Sequence, residues 1–360
     1  MKKTVKLIPL GVLLALSLPL AAHASVEVYG KARVAVEFAN NGDDNTGQEK
    51  SKMSLANHAS RLGFKGDEDL GGDLSAFWQI ETSVSFDTGT AFSSPRQTFV
   101  GLAGGFGTVL AGRLDTPFKS ATNGWDPFVD TAADYNAILY GRRVPNTLAY
   151  VSPNMNGFKA AAAWALSDQA TGSDSLPITK TANKQDAYSV SANYDNGPLG
   201  VAAAYEVLNK LGATNTSGTG KDDNTAMKVG AKYTIMDATT LALVFENQDM
   251  GGNVKDRNII YFAASHKIGD TTLKLAYTNA DKCGGTASNC DKTGANQISV
   301  GVAQSLTKNT EIYALYSQIS NDDNVGYGLI DGPGAVVKSS GVASDPSVIS
   351  IGFNHNFSSK

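Results

Sequence analysis

The chain has 360 residues, 30 basic against 34 acidic, a formal net charge of −4 and only 18% charged residues. That acidic balance excludes nucleic acid as a partner, because displacing phosphate counterions needs a basic patch. Beyond residue 24 no apolar run reaches the roughly 18 residues a membrane helix needs, so any role in a membrane must come from strands.

At the N-terminus Lys2, Lys3 and Lys6 precede an apolar stretch from Leu7 to Leu20, and Ala22-His23-Ala24 is a small-x-small cleavage motif. This layout reads as a signal peptide over 1–24, with the exported chain beginning at Ser25. Pro9 and Pro19 in a short run argue against a permanent anchor. The exported part keeps 27 basic and 34 acidic residues, a formal charge of −7. No domain boundary interrupts residues 25–360, which read as a single domain.

From Val26 onward the dominant pattern has period two, the signature of strands with one apolar and one polar face. Val26, Val28, Val34, Val36 and Phe38 alternate with Glu27, Lys31, Arg33 and Glu37. Tyr188, Val190, Ala192 and Tyr194 alternate with Ser189, Ser191 and Asn193, and Met227, Val229, Ala231, Tyr233 and Ile235 with Lys228, Gly230, Lys232 and Thr234. Near the end Ile349, Ile351, Phe353 and Phe357 oppose Ser350, Gly352, Asn354 and Asn356. Sixteen such segments are expected: 26–39, 57–67, 74–86, 96–103, 106–114, 147–152, 158–166, 187–195, 199–208, 224–236, 239–250, 257–268, 271–280, 296–306, 310–320 and 347–357. Most are near the 9–11 residues that a tilted membrane-spanning strand requires.

The connections alternate in length. Tight turns at 69–73, 104–105, 153–157, 196–198, 237–238, 269–270 and 308–309 interleave with longer loops at 40–56, 87–95, 115–146, 167–186, 209–223, 251–256, 281–295 and 321–346. A closed antiparallel barrel with different compartments at its two rims sorts its connections this way, and a soluble sandwich has no reason to. The expected fold is therefore all-β, a 16-stranded antiparallel transmembrane β-barrel with short periplasmic turns and long external loops. Apolar positions would face lipid, and polar positions a water-filled interior.

One loop differs from its solvated neighbours. Residues 115–146 carry Phe118, Trp125, Phe128, Tyr135, Ile138, Leu139 and Tyr140, and so many apolar side chains need a surface to pack on. The expectation is that this loop folds into the barrel and narrows it; an exposed surface lid is the alternative. Asp126-Pro127 predicts a helix start, with Asp130 and Asp134 four apart on one face and one of them toward the lumen. A basic wall is expected opposite: Arg61, Arg96 and Arg113 near strand ends, Lys31 and Arg33 on the polar face of the first strand, and Arg142-Arg143 at the end of the loop. Cations facing acids across a narrow aqueous gap create a transverse field that selects ions.

Cys283 and Cys290 bracket six small or polar residues and read as a disulfide closing one loop of an exported protein. No zinc spacing, nucleophile elbow or phosphate loop is present, so no catalytic residue, metal or cofactor is expected. Gly218-Thr219-Gly220-Lys221 ends in Asp222 where a phosphate loop needs Ser or Thr. Asp-Asp-Asn triplets at Asp43, Asp222 and Asp322 suit turns better than divalent-ion sites bridging lipopolysaccharide.

The stretch from Ser60-Arg61-Leu62-Gly63-Phe64-Lys65-Gly66 to Leu70-Gly71-Gly72 resembles the signature after the first loop in the general Gram-negative porins of the neisserial and proteobacterial type. Val28-Tyr29-Gly30, Gln79-Ile80-Glu81, Arg96-Gln97-Thr98-Phe99-Val100-Gly101-Leu102, Phe106-Gly107-Thr108-Val109 with Gly112-Arg113, and Asn146-Thr147-Leu148-Ala149-Tyr150 follow in the same order. The resemblance implies a trimeric sixteen-stranded porin of the outer membrane, surrounded by lipid and lipopolysaccharide, whose third loop constricts the pore. It would put Arg61, Arg96 and Arg143 on the basic wall, and Glu81 with the loop acids opposite. Two features depart from the family: Ser358-Ser359-Lys360 follow the last aromatic residue, and the loop lacks an acidic Glu-Gly-Gly cluster. The function expected is passive diffusion of small hydrophilic solutes and ions with a weak anion preference. The alternatives are a substrate-specific uptake channel for small organic acids, an outer-membrane hydrolase using His58 or His266, and a soluble β-rich adhesin.

Overall fold

The structure is a computed structural model, and it describes residues 25–42, 51–166, 187–208, 224–249, 256–284, 290–329 and 344–360. The expected signal peptide 1–24, the loops 167–186 and 209–223, the triplet at Asp43, most of that at Asp222 and the Gly218–Lys221 stretch lie outside the described residues.

Strand β1 is Ser25–Asn40, β2 Ser51–Asn57, β3 Arg61–Gly71, β4 Leu74–Ser85, β5 Thr90–Gly104 and β6 Gly107–Asp115. After the inward loop come β7 Arg143–Val151, β8 Phe158–Ala165, β9 Ala187–Asn196, β10 Leu199–Leu208, β11 Asn224–Ile235 and β12 Thr239–Asp249. The last five are β13 Arg257–Ile268, β14 Thr271–Ala280, β15 Ala295–Thr307, β16 Thr310–Asn321 and β17 Ser347–Ser358. Every neighbour is antiparallel, and β17 returns to pair with β1 from Tyr29↔Ser358 to Asn40↔Ser347. Closure leaves no sheet edge, the condition for strands in hydrocarbon.

Seventeen strand segments make a sixteen-stranded barrel because β2 and β3 are halves of one strand. Both pair with β1, β3 along its first half and β2 along its second. The break lies at His58-Ala59-Ser60. Ala59 takes φ +50°, and the Ser60 hydroxyl accepts the Arg33 N–H (2.8 Å) and donates to the Arg33 carbonyl (2.9 Å). His58 Nε2 lies 2.7 Å from the Glu37 carboxylate inside the bend.

The alternation sorts the faces as expected. Along β1, Val36 and Phe38 are 41% and 50% exposed on the outer surface, while Ala35 and Glu37 are 2% and 1% exposed inside. The seven tight turns stand where the glycines, aspartates and asparagines put them; Gly72 and Asp73 take φ +60° and +64°, the paired left-handed values of a two-residue hairpin. On the other rim, 87–95 is not a long loop. The β4–β5 ladder runs out to Ser85↔Thr90, leaving only a short turn between them. Two register shifts in that ladder scramble the period-two pattern and hide the outer third of β5 from a sequence reading.

The loop between β6 and β7 turns inward. Phe118, Phe128, Tyr135, Ile138 and Leu139 pack with Val244, Ile259 and Tyr261 of the wall in one buried cluster. The expected helix after Pro127 does not form. Helix α1 is instead Pro117–Ser120, capped by the Thr116 hydroxyl, which accepts the Lys119 N–H. The Asp126 carboxylate accepts the N–H of Phe128 (2.8 Å) and of Tyr135 (3.0 Å), curling residues 126–135 into successive turns rather than a helix. A second segment also enters the mouth: Val325, Tyr327 and Leu329 pack against the same cluster.

Candidate functional site: the inward loop and the basic wall

The tip of the inward loop touches the barrel wall. Asp130, held at φ +60°, extends its carboxylate to Arg61 (2.6 Å) and Lys31 (3.2 Å). Arg33 donates from Nη1 to the carbonyls of Val129 and Asp130, both at 2.7 Å. Burial works to raise the Asp130 carboxyl, but Arg61, Lys31 and Arg33 outweigh it and hold the group well below the usual carboxylate range. Strand pairing explains why these cations meet: Lys31 and Arg61 are register partners on β1 and β3, so their side chains leave the sheet on one face.

Asp134 takes a different place. It is buried within the loop, its carboxylate accepting the N–H of Asp130 (2.8 Å) and of Asn136 (2.8 Å). Burial raises its carboxyl against those hydrogen bonds. Of the two loop acids singled out in the sequence, Asp130 meets the basic wall and Asp134 shapes the turn that presents it.

Two further carboxylates stand among the cations. Glu81 accepts from Arg96 Nε (2.6 Å) and from the Tyr29 hydroxyl (3.0 Å), so it is embedded in the basic wall and not opposite it. Asp115, at the end of β6, binds Arg143 (2.9 Å) and Lys119 (3.2 Å). Arg113 stands apart from this cluster. It is the register partner of Thr98 and shares the outer parity of Val109, Ala111 and Val100, with Nε donating to the Pro95 carbonyl at 3.1 Å. Leu110 and Leu114 take the inward positions of this strand, so polarity alone pointed Arg113 the wrong way.

The far side of the loop is anchored to β11–β13. Glu246 accepts the Tyr140 N–H (2.7 Å) and pairs with Lys228 (3.0 Å), and the Tyr261 hydroxyl donates to Asp126 (2.8 Å). Burial, then the nearby Asp134 charge, raises the Asp126 carboxyl. Lys228, Glu246 and Tyr261 lie about 90 to 140 residues from their loop partners in the chain, and no local spacing announces such pairs.

At the mouth, Cys283 and Cys290 are joined by a disulfide. Thr293 beside it accepts from Arg257 through its carbonyl (3.1 Å), and the same guanidinium bonds the Tyr327 hydroxyl. The Asp322 triplet ties these loops together: Asp322 accepts the Gly294 N–H (2.9 Å) and Asp323 pairs with Lys292. Among the described residues no group of side chains is arranged to hold a metal ion.

Comparison with known proteins agrees with this architecture. A family model described as Gram-negative porin matches residues 10–324. The chain is 30% identical over 348 residues to outer membrane porin protein 32 of Delftia acidovorans, covering 91% of this chain and 92% of that one. It is 28% identical over 322 residues to the major outer membrane protein P.IB of Neisseria sicca, covering 82% and 88%. Among solved structures, an anion-selective porin from Comamonas acidovorans aligns with TM-score 0.75 and 26% identity over 93% of this chain and all of that one. With a closed barrel, an inward loop and matches that span most of both chains, this protein belongs to the Gram-negative porin family and resides in the outer membrane.

Proposed function

We propose that the chain forms a water-filled channel for passive diffusion of small hydrophilic solutes, narrowed by residues 115–146 and weakly selective for anions. The observation that carries this reading is a charge count at the loop tip. The Asp134 carboxylate is buried behind the tip on backbone N–H groups, and Lys31, Arg33, Arg61, Arg96, Lys119 and Arg143 surround three further carboxylates, Asp130, Glu81 and Asp115, a formal surplus of three positive charges among these nine groups. Each of these three carboxylates is already engaged by at least one cation, so the remaining positive field acts on passing ions. Arginine suits this task because it stays charged while its fork is held in place. The outer-membrane porin from Comamonas with which the barrel aligns bears the same description, anion-selective. Residues 1–24 act as the export signal in this reading, and three copies assemble side by side in lipid and lipopolysaccharide.

Single-channel recording in a planar bilayer under a potassium chloride gradient tests it. Stepwise currents that close in threes and a reversal potential of anion sign are expected. Arg61→Gln with Arg143→Gln should bring that potential toward zero; an unchanged value in the double variant removes both residues from the selectivity assignment.

A further inference from the structure

Inward positions of a water-filled barrel are expected to be polar, and over one sector large apolar side chains stand among the polar ones. From β5 to β8 the inward side chains include Phe99, Leu110, Leu114, Val151 and Ala161, which with the first turn of α1 line a niche of about 380 Å³. Their placement follows from register: Leu110 pairs with Ala149, Val151 with Ala161, and Ala161 with the inward Ser191. Phe77 of β4 packs edge-on against Phe99 with ring centroids 6.1 Å apart, extending the apolar wall by one strand.

The niche adjoins the basic wall. Gln97, Asn193 and the carboxylates of Asp115 and Asp195 also line it; Asp115 is bound by Arg143 and Lys119 and Asp195 by Lys232, so three cations stand behind two carboxylates. Lys159, the second residue of β8, lines it near the short-turn rim. An apolar strip flanked by cations complements a solute that combines one negative charge with an apolar body. A small fully hydrated anion has no use for such a strip, since exposed apolar surface offers it no hydrogen bond.

We propose that this niche favours passage of small monocarboxylates with an apolar body, aromatic carboxylates foremost, over hydrophilic anions of equal size and charge. The carboxylate is held by the field of Arg143 and Lys119 while the ring lies along Phe99, Leu110 and Val151. The inference rests on the anion preference proposed above and adds to it a preference set by apolar contact.

Benzoate and nicotinate test it, because they match in size and charge and differ in ring polarity. Reversal potentials of the full-length protein in planar bilayers, with sodium benzoate or sodium nicotinate opposing sodium chloride at pH 7, give the two permeability ratios. Benzoate should exceed nicotinate about threefold, the effect of shielding roughly 25–30 Å² of ring surface from water. In Phe99→Asn/Val151→Thr, checked for barrel folding by its resistance to detergent unfolding at room temperature, the two ratios should converge. Equal ratios in the wild-type protein overturn the proposal even where chloride is preferred over potassium, which separates this failure from failure of the charge assignment. A benzoate advantage that persists in the folded variant removes it from the niche and also overturns the proposal.

Discussion

The Lys228 ammonium and the Glu246 carboxylate lie 3.0 Å apart with side chains 1% or less exposed, and together they grip one residue of the inward loop. Glu246 accepts the Tyr140 N–H at 2.7 Å while Lys228 donates to the Tyr140 carbonyl at 3.3 Å. The ammonium also stands 4.0 Å over the Phe118 ring. The pair therefore clamps both ends of the loop's apolar part to β11 and β12.

Breaking one half of that clamp strands a buried charge, which costs about 3–5 kcal/mol, whereas replacing both halves with apolar groups of similar volume costs far less. Glu246→Ala alone should release the loop and raise the frequency of brief partial closures in single-channel records. Lys228→Met/Glu246→Leu should be much quieter than the single variant. Equal noise in the two would mean the clamp does not hold the loop.

Asp130 is the loop acid that meets the basic wall, so its replacement by Asn changes charge at the proposed constriction with little change in volume. Asp130→Asn raises the formal surplus around the tip from three to four positive charges. A unit charge about 10 Å from an ion in water contributes about 0.4 kcal/mol, of opposite sign for anion and cation, so the anion-to-cation permeability ratio should rise about fourfold. A shift toward cations would show that Asp130 acts by placing the loop and not through its charge.

Acid and base should act differently on Asp126 and on Asp130. Asp126 has its folded-state value pushed up from 3.8 to about 7 by burial and by the charge of Asp134. The folded loop then binds more protons than the unfolded chain between about pH 4 and pH 7, so its docking weakens as pH rises through that window. Asp130 is shifted downward, so its pairing with Arg61 persists across the same window and is lost only in stronger acid. Amide protection of residues 116–142, corrected for intrinsic exchange, should fall from pH 4.5 to pH 7.5. Asp134 is raised in the same sense, so Asp126→Asn/Asp134→Asn should flatten that dependence; a slope that survives the double substitution assigns it elsewhere.

Much of the barrel was legible from alternation and loop length, because a strand with lipid on one side and water on the other must repeat every two residues. The reading failed where that premise did. Pairing between β4 and β5 slips register twice, so Thr90–Pro95 carries no alternating pattern and reads as loop. In β6 the apolar Leu110 and Leu114 face the niche and the charged Arg113 faces out, so the polarity rule chose the wrong side. Asp126-Pro127 carries a helix-start signal, yet the carboxylate is used by Tyr135 and by the distant Tyr261, and turns replace the helix.

The sequence by itself determined a closed all-β barrel with sixteen strand passes, an inward turn of the apolar loop between β6 and β7, and the stock of cations that could line it. These follow from local periodicity and from apolar side chains that need cover, properties each segment carries alone. Only the tertiary structure decided that Asp130 and not Asp134 reaches Arg61, that Glu81 sits within the basic wall, and that Lys228 and Glu246 hold Tyr140 from more than eighty residues away. Such pairings depend on strand register and barrel closure, which set distances between side chains far apart in the chain.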